Sequence, residues 1–231
     1  PGQSRLDLAG TTVSIMEKIL PGLLAVAPHA VYILVANPVD VVTYTSLKIS
    51  GLSPTQMFGS GTVLDTSRLR YLVSLETGTA VQNIHAYVAG EHGDSEVPLW
   101  ASAVIGNMPL SRWGTTKSGV PFDADLCARI GHEVMESAYK IIEGKGVTNY
   151  AVGLAVSRII AAVLNDEQRV LTISTLLDGW EGISDVCMSV PTIVGREGAG
   201  RRLLPYISMA ERDALTTGAI HLRDIARSLG Y

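Results

Sequence analysis

Three side chains have the types and spacing needed for acid–base chemistry on a molecule that carries a carboxylate. Asp65 and Arg68 are three residues apart in a segment with helical periodicity, so both lie on one face of the predicted helix. His92 lies in Gly90-Glu91-His92-Gly93-Asp94, where two glycines let the backbone bring an imidazole into the open. If Asp65 accepts a hydrogen bond from one ring nitrogen, it fixes the tautomer and raises the pKa of the other. Arg68 can then hold a carboxylate through two hydrogen bonds. The simpler interpretation of Asp65 and Arg68 is an intrahelical ion pair.

The elements that must position these residues can be predicted from hydrophobic spacing. Residues 31–36 form a short apolar run, typical of a strand buried on both faces of a parallel sheet. Residues 39–49 predict a helix ending at Gly51, which places Asn37 at the carboxyl end of the strand, where open α/β sheets bind ligands. Residues 58–62 predict a turn, and the helix after it carries Asp65 and Arg68 as far as Gly78. Alternation over residues 81–89 predicts a two-faced strand that leads to His92.

The flanking segments complete an α/β pattern. Residues 5–28 predict a helix broken at Pro21, and a long helix capped by Asp123 is expected to end at Gly144 and Gly146. An apolar helix over residues 150–164 precedes strand material within 171–194, which turns at 178–179. Ser208 and Glu211 predict a capping box that begins a final helix.

Composition excludes several classes of protein. The chain has 231 residues, 47% of them hydrophobic and 17% charged, so we expect a globular protein. Part of its surface is expected to be covered by a second subunit or by a missing part of the same chain, and an oligomer is the default expectation. Because the net charge is −4 and no run of Lys and Arg occurs, no nucleic-acid or membrane-surface partner is expected. Cys127 and Cys187 lack the spacing of a disulfide framework or a metal site, which favours a cytoplasmic protein without a metal. The apolar stretch 19–44 is interrupted by prolines and Asp40, which argues against a membrane span.

Six segments, in order along the chain, resemble the bacterial L-lactate dehydrogenases of the lactate/malate dehydrogenase superfamily. They are PGQSRLDL (1–8), ANPVD (36–40), GSGTVLDTSRLR (59–70), GEHGDSEVP (90–98), GKGVT (144–148) and SVP (189–191). The resemblance implies a partial Rossmann domain, a doubly wound parallel sheet, over residues 1–58. It also implies an α+β catalytic domain over residues 59–231.

The same resemblance implies hydride transfer between NADH and a 2-oxo acid such as pyruvate. His92 would donate the proton to the carbonyl oxygen, with Asp65 as its orienting partner, and Arg5 would polarise the carbonyl from a mobile loop. The residues expected to bind the substrate are Arg68, Asn37 and Thr148, and those expected to bind NAD are Val35, Asn37, Ser60 and Val152. The simpler interpretation of Arg5 is a frayed terminal arginine.

Arg70 and His85 raise the question of an effector. Arg70 is two residues from Arg68 and therefore points to nearly the opposite side of the helix, away from the substrate. In the bacterial enzymes that the sequence resembles, an Arg and a His at these positions bind fructose bisphosphate across a subunit interface, so we expect this effector and a homotetramer or homodimer. The simpler interpretation is a solvated Arg and a partly buried His.

The sequence departs from the family in one respect, since no GxGxxG occurs in it. Gly59-Ser60-Gly61 has Leu64 where the third glycine would stand, and we expect the dinucleotide fingerprint to lie upstream of Pro1. Two alternatives therefore stay open: a malate dehydrogenase of the same superfamily, which a single upstream arginine would indicate, and a non-catalytic fragment that cannot bind NAD. The NAD-dependent glycosidases of this fold are disfavoured because their Cys/His metal cluster is not visible in the sequence.

Overall fold

Six helices and ten strands make up the part of the chain that the computed structural model describes, residues 5–145 and 149–231, without the side chains of 5–7, 138–143 and 145. The helices are α1 Arg5–Val26, α2 Val39–Ser50, α3 Val63–Thr77, α4 Ala124–Lys145, α5 Tyr150–Leu164 and α6 Met209–Ser228. The strands are β1 Tyr32–Leu34, β2 Met57–Gly59, β3 Ile84–His85, β4 Val88–Ala89, β5 Val97–Pro98, β6 Val104–Ile105, β7 Met108–Pro109, β8 Arg169–Leu177, β9 Val186–Gly195 and β10 Gly198–Arg202.

A five-stranded mixed sheet in the order β1-β2-β8-β9-β10 carries the fold. β1 and β2 are parallel, whereas β2 pairs antiparallel with β8, and the long β8–β9 hairpin continues antiparallel to β10. β1 and α2 confirm the predicted strand and helix, although the parallel partner β2 was not predicted. The β8–β9 hairpin confirms the strand material and the turn near Asp178. β10 was not predicted, because its sequence, Gly198 to Arg202, is polar and glycine-rich.

Two predictions about the parallel strands were wrong in detail. β1 was expected to span residues 31–36 and to be buried on both faces, but it is three residues long and only Leu34 in it is buried. The reason is that β1 lies at the edge of the sheet, since among the described residues it pairs with β2 alone. The predicted turn at 58–62 begins later than expected, since Phe58 and Gly59 belong to the fully buried strand β2. The turn itself lies at Ser60 to Thr62, immediately before α3.

Helix α1 passes through Pro21 without a break, which corrects the predicted interruption. A proline in a helix removes one backbone hydrogen bond, but the apolar face of α1 continues on the same side and packs into a cluster with α2 that contains Met16, Leu20, Val42 and Leu47. Residues Leu8–Val26 are long and apolar enough to cross a membrane by length and composition alone. Met16 and Leu20 are packed in the core, but only 22% of this window is buried, and Ile15, Ile19 and Leu23 are exposed.

Helix ends agree with the sequence where a cap is present. Gly51 and Gly78 close α2 and α3 in the left-handed conformation, and Ser208 forms the predicted capping box with Glu211. Asp123 accepts the Leu126 amide at the start of α4. Gly144, by contrast, lies inside α4, because a single glycine weakens a helix without ending it, and Gly146 lies outside the described residues.

The predicted strand over residues 81–89 is divided into two short strands that belong to different sheets. Residues 81–83 form a 3₁₀ turn, β3 pairs with β6, and β4 pairs with β5. The expected alternation is present, since Ile84, Ala86 and Val88 are buried and His85 is exposed. β4 then leads directly to the His92 loop.

Several separate apolar clusters form the core. One joins β4, β5, β9 and α6 around Met188 and includes the buried Trp180. A second joins α3 and α4 around Leu69, and Trp100 and Trp113 pack against it. The two clusters meet at β4, where Val88 belongs to one and Ala89 to the other.

Candidate active site

Asp65 is the central residue of the candidate site. It lies in the first turn of α3, where it is buried, and each of its carboxylate oxygens has a different partner. Oδ1 accepts a hydrogen bond from Arg68 Nη1 at 2.9 Å, and Oδ2 lies 2.8 Å from His92 Nδ1. The intrahelical ion pair and the predicted contact with the histidine therefore occur together. Because Nδ1 is turned to Asp65, Nε2 is the ring nitrogen that can act on a ligand.

Two glycines shape the loop that holds His92, as predicted. Gly90 and Gly93 have φ angles of +95° and +152°, which side-chain-bearing residues rarely adopt. The loop is anchored at Gly90, which exchanges backbone hydrogen bonds with Ser189 on β9 at 2.8 and 2.9 Å. It is held a second time by the His92 N–H, which donates to Asp40 Oδ2 at 2.7 Å. These contacts fix the backbone of His92 independently of its side chain.

The electrostatic surroundings favour a protonated His92. Burial lowers the pKa of the imidazole, but the hydrogen bond to Asp65 and the charges of Asp65 and other nearby carboxylates outweigh that effect and raise the pKa from 6.5 to about 9. At neutral pH the ring consequently carries a proton on Nε2. The side chain is 27% exposed, so that proton is accessible to a ligand.

Two further carboxyl groups at the site were not predicted. Asp40, in the first turn of α2, is 2% exposed, and burial raises its pKa to about 6 against the lowering effects of the Ser174 side chain and the His92 N–H. Glu96 has a buried Oε1 without a hydrogen-bond partner in the described residues, and burial together with the charge of Asp65 raises its pKa. Both residues lie within the recognised motifs, but no sequence signal shows that these positions are buried. Ligand atoms of Asp65, His92 and Glu96 approach within 4.8 Å, which could hold a metal ion, although the Asp65–His92 hydrogen bond already accounts for the closest pair.

A cavity of about 200 Å³ opens beside Asp65 and His92. Its apolar walls come from α1, α2, α4 and α6 through Leu8, Val41, Met135, Leu222 and Ile225. Its polar groups are Asn37, Asp65, Glu91, His92, Asp94 and Glu96. Arg68 does not line this cavity. Its side chain is 15% exposed and lies against Asp65.

The four residues predicted to bind NAD lie together. Val35, Asn37, Ser60 and Val152 line one cleft with His92, at the carboxyl ends of the parallel strands β1 and β2. This is where doubly wound sheets bind nucleotides. The cleft has apolar walls and one amide side chain, that of Asn37, beside His92, and its volume is about 50 Å³.

Two predicted residues cannot be placed. Arg5 begins α1, but its side chain is outside the described part of the structure, and Thr148 lies outside the described residues altogether. Their predicted roles therefore receive no support or contradiction from the geometry.

Arg70 and His85 occupy different surroundings. Arg70 donates Nε to the Ala86 carbonyl at 2.9 Å, and its guanidinium lies 4.8 Å above the Tyr87 ring. It lines a cavity of about 150 Å³ together with Arg158 and Arg169. His85 is exposed on β3 and does not line that cavity. Arg70 thus lies away from Arg68, as the helical spacing predicted.

Comparison with known protein families covers the chain from end to end. Residues 1–59 match the NAD binding domain of lactate/malate dehydrogenase, and residues 62–228 match its alpha/beta C-terminal domain. The chain is 53% identical to an L-lactate dehydrogenase of Bifidobacterium animalis subsp. lactis (strain AD011) over 231 residues, which is 100% of the chain and 72% of the relative. It is 40% identical to an L-lactate dehydrogenase of Thermus aquaticus, again over 100% of the chain and 74% of the relative.

Solved structures agree with the sequence relatives. The minor L-lactate dehydrogenase from Enterococcus mundtii, in its ligands-bound form, superposes with a TM-score of 0.92 at 32% sequence identity, over 99% of the chain and 72% of that structure. A lactate dehydrogenase from a Medee basin deep-sea metagenome library superposes with a TM-score of 0.93 at 32% identity, over 100% and 73%.

Proposed function

Because the chain belongs to the lactate/malate dehydrogenase family, we propose that it catalyses the reversible NADH-dependent reduction of pyruvate to L-lactate. The observation that carries this proposal is the hydrogen bond between His92 Nδ1 and Asp65 Oδ2 at 2.8 Å, beside a cavity on one side and the cleft of Val35, Asn37, Ser60 and Val152 on the other. NADH, when bound in that cleft, supplies the hydride.

His92 supplies the proton. Addition of a hydride to the carbonyl carbon leaves negative charge on the oxygen, and His92 Nε2 donates its proton to that oxygen to give the hydroxyl of lactate. The raised pKa of His92, about 9, keeps the proton available at neutral pH. Asp65 holds the ring in one tautomer and stabilises the charged form, and the Asp40 contact keeps its backbone in place. In the oxidation of lactate the neutral ring takes the proton back.

Two arginines supply positive charge to the substrate. Arg68 binds the carboxylate, for which a planar guanidinium with paired N–H groups is suited, and Asp65 holds it on the active face of α3. Arg5 is proposed to polarise the carbonyl, and Thr148 to contact the substrate, as the family resemblance implies. Asn37 lines both cavities and therefore bridges substrate and nicotinamide.

We further propose that fructose bisphosphate activates the enzyme through Arg70 and His85 in a cytoplasmic homotetramer or homodimer. The cavity that gathers Arg70, Arg158 and Arg169 supports an anionic effector, because guanidinium groups can neutralise phosphate charge. Arg158 and Arg169 lie 3.5 and 3.0 Å from Glu167, so a phosphate would compete with that carboxylate for them. Exposed apolar side chains on α5 support an oligomer. The two family matches support a division into a nucleotide-binding part, residues 1–58, and a catalytic part, residues 59–231.

The test is NADH oxidation with pyruvate and, separately, with oxaloacetate, each with and without fructose bisphosphate. The 231-residue chain is assayed beside a chain extended at its N-terminus by the segment that precedes the matched region of the Bifidobacterium relative. Turnover of pyruvate by the extended chain supports the proposal, and stimulation by the bisphosphate supports the effector. Preference for oxaloacetate would indicate malate dehydrogenase instead. Absence of NADH oxidation by both chains with either substrate would indicate a non-catalytic protein.

A further inference from the structure

The backbone of His92 is joined to the central sheet through a buried carboxylate on α2. Asp40 lies in the first turn of that helix and is 2% exposed. Its Oδ2 accepts the His92 N–H at 2.7 Å. Its Oδ1 and the hydroxyl of Ser174 on β8 are both buried without another hydrogen-bond partner among the described residues, and these two side chains pair with each other. Asp40 therefore connects Ser174, in the sheet, to the residue that bears the proposed proton donor.

Ser174 lies where the elements that position the active site meet. It pairs with the last residue of β2, and a Cβ at Gly61, in the turn before α3, would lie 2.6 Å from the Ser174 amide nitrogen. Helix α3 in turn bears Asp65, whose Oδ2 lies 2.8 Å from His92 Nδ1. The ring and the backbone of His92 are thus positioned from the same point of β8, the ring through α3 and the backbone through Asp40.

Asp40 and the imidazole of His92 favour each other's charged forms. The negative charge of Asp40 raises the pKa of His92, and the positive charge of His92 lowers the pKa of Asp40. Asp65 and Glu96 also face His92 with negative charge, and Glu91 faces Asp40. Asp40 consequently acts on the ring by its charge as well as by holding the backbone.

The cations that line a cavity beside Asp40 contact other groups. Lys48 lies 3.5 Å from Asp185. Arg223 donates Nε to a carbonyl of its own helix at 3.2 Å, and Arg227 lies 3.6 Å from a neighbouring aspartate of α6. Burial accordingly raises the pKa of Asp40 from 3.8 to about 6, so the ionised carboxylate opposes folding at neutral pH. A charge that is kept at a cost to stability indicates a role other than folding.

We propose that Asp40 is a positioning residue for His92, whose two oxygens fix the His92 backbone to Ser174 and whose charge favours the protonated ring. Asp40 does not line the cavity beside His92, so it acts on the reaction through His92 alone. The expected effect on turnover rests on the proposed function, whereas the effect on the ring is present in the chain without substrate.

Asp40→Asn separates the charge from the hydrogen bonds. Asparagine can accept the His92 N–H and donate to the Ser174 hydroxyl, so only the charge is lost. In ¹H NMR titrations of the 231-residue chain, the pKa of His92 should fall by about 0.5 to 2 pH units, with its signal assigned by its absence from His92→Asn. The thermal unfolding midpoint at neutral pH should be equal to that of the parent or higher, because a buried charge is removed.

Asp185→Asn is the matched control for the charge. Asp185 lines the same cavity as Asp40 and contacts α2 through Tyr44, whose hydroxyl donates to it at 2.8 Å. This variant should leave the pKa of His92 unchanged. An unchanged pKa of His92 in Asp40→Asn, or an equal fall in Asp185→Asn, would overturn the proposal.

Ser174→Ala tests the hydrogen-bonded part. In the N-terminally extended chain, kcat for pyruvate should fall about three- to tenfold while KM stays within about twofold, because Asp40 loses one anchor and Arg68 is untouched. Ser137→Ala, which removes a hydroxyl bonded to a carbonyl of α4, should change neither constant. An undiminished kcat in Ser174→Ala would contradict the link to β8. If the extended parent shows no turnover, the proposed function fails, but the His92 titration still decides the role of Asp40.

Discussion

At the scale of single residues, the candidate site depends on how one buried carboxylate is shared. One carboxylate oxygen of Asp65 contacts Arg68 and the other contacts His92. A single side chain therefore orients both the arginine proposed to bind a carboxylate and the histidine proposed to donate a proton. A change at Asp65 would therefore alter both functions, whereas a change at His92 alters only one.

Replacement of His92 tests that separation. His92→Asn should lower turnover of pyruvate by about 10²- to 10⁴-fold in the N-terminally extended chain, because the general acid is lost while Arg68 and Asp65 remain paired. Steady-state NADH oxidation measures the loss, and calorimetry should show pyruvate binding within severalfold of the parent. His132 is an exposed histidine paired with Glu136 on α4, so His132→Asn is the matched control and should leave turnover unchanged. Undiminished turnover in His92→Asn would remove the acid–base role.

The raised pKa of His92 also makes stability depend on pH. The folded chain holds this proton up to about pH 9 and the unfolded chain only to about 6.5, so the stabilisation is complete below pH 6.5 and is lost as the pH rises towards 9. Urea unfolding at pH 6 and pH 9.5 should show the stability difference between the parent and His92→Asn shrinking by about 1–3 kcal/mol, a range that allows for solvent screening of the partly exposed ring. A pH-independent difference would show that the charged ring is not stabilised by its surroundings.

The sequence indicated the contact between Asp65 and His92 but not the residues around it. The residue types and the glycine-flanked loop suggested that Asp65 could accept a hydrogen bond from His92, and the family resemblance implied this pairing. Asp40 and Glu96 were not assigned roles, because their importance comes from burial, which depends on α2 and the His92 loop packing together across 52 residues of sequence. The cationic cavity around Arg70 was missed for the same reason, since Arg158 and Arg169 come from other elements.

At the scale of elements, the turn between β2 and α3 is held by one glycine. Gly61 has φ +53°, and a Cβ there would lie 2.6 Å from the Thr172 carbonyl oxygen and the Ser174 amide nitrogen of β8. Any side chain would therefore push α3, and with it Asp65, away from the sheet.

Gly61→Ala should consequently destabilise the fold by about 2–5 kcal/mol, the sum of left-handed strain and an overpacked contact. The control is Gly51→Ala, at φ +65° with no atom within 4 Å of the added Cβ, which should cost only about 1–2 kcal/mol of strain. Urea unfolding measures both. Equal losses in the two variants would mean that the close approach to β8 does not constrain the turn.

Elements were predicted well where the signal is local. α2, α5 and α6 match their expected bounds because caps and periodicity are short-range features. The strand over 81–89 was predicted as continuous because alternation fixes which side chains are buried but not which strand each half pairs with. The passage of α1 through Pro21 depends on packing against α2, which the local sequence does not contain.

At the scale of the whole molecule, an apolar stripe on α5 is the clearest candidate for a subunit contact. Tyr150, Leu154 and Leu164 are 77%, 74% and 72% exposed and follow the spacing of one helix face, opposite the buried Ile159. Side chains of this size at such exposure are expected to be covered by another chain.

The double change Leu154→Asp and Leu164→Asp should therefore reduce the sedimenting mass of the chain, because charges placed in an apolar contact destabilise it. Analytical ultracentrifugation at several concentrations measures this. Leu204→Asp, at a 68% exposed position outside α5, should leave the mass unchanged. An unaltered sedimenting mass in the double variant would show that the subunit contact does not involve this face of α5.

The fluorescence of the three tryptophans can report separately on two apolar clusters of the molecule. Trp180 is buried in the cluster beneath the His92 loop and donates its indole N–H to the Leu203 carbonyl, whereas Trp100 and Trp113 pack on the α3–α4 cluster. The fluorescence of a Trp180→Phe variant would therefore report on the α3–α4 cluster alone. The fluorescence of the double variant Trp100→Phe and Trp113→Phe would report on the cluster around Trp180. Because Val88 and Ala89 join the two clusters within one strand, the two emission signals should change at the same denaturant concentration, as in a single cooperative unit.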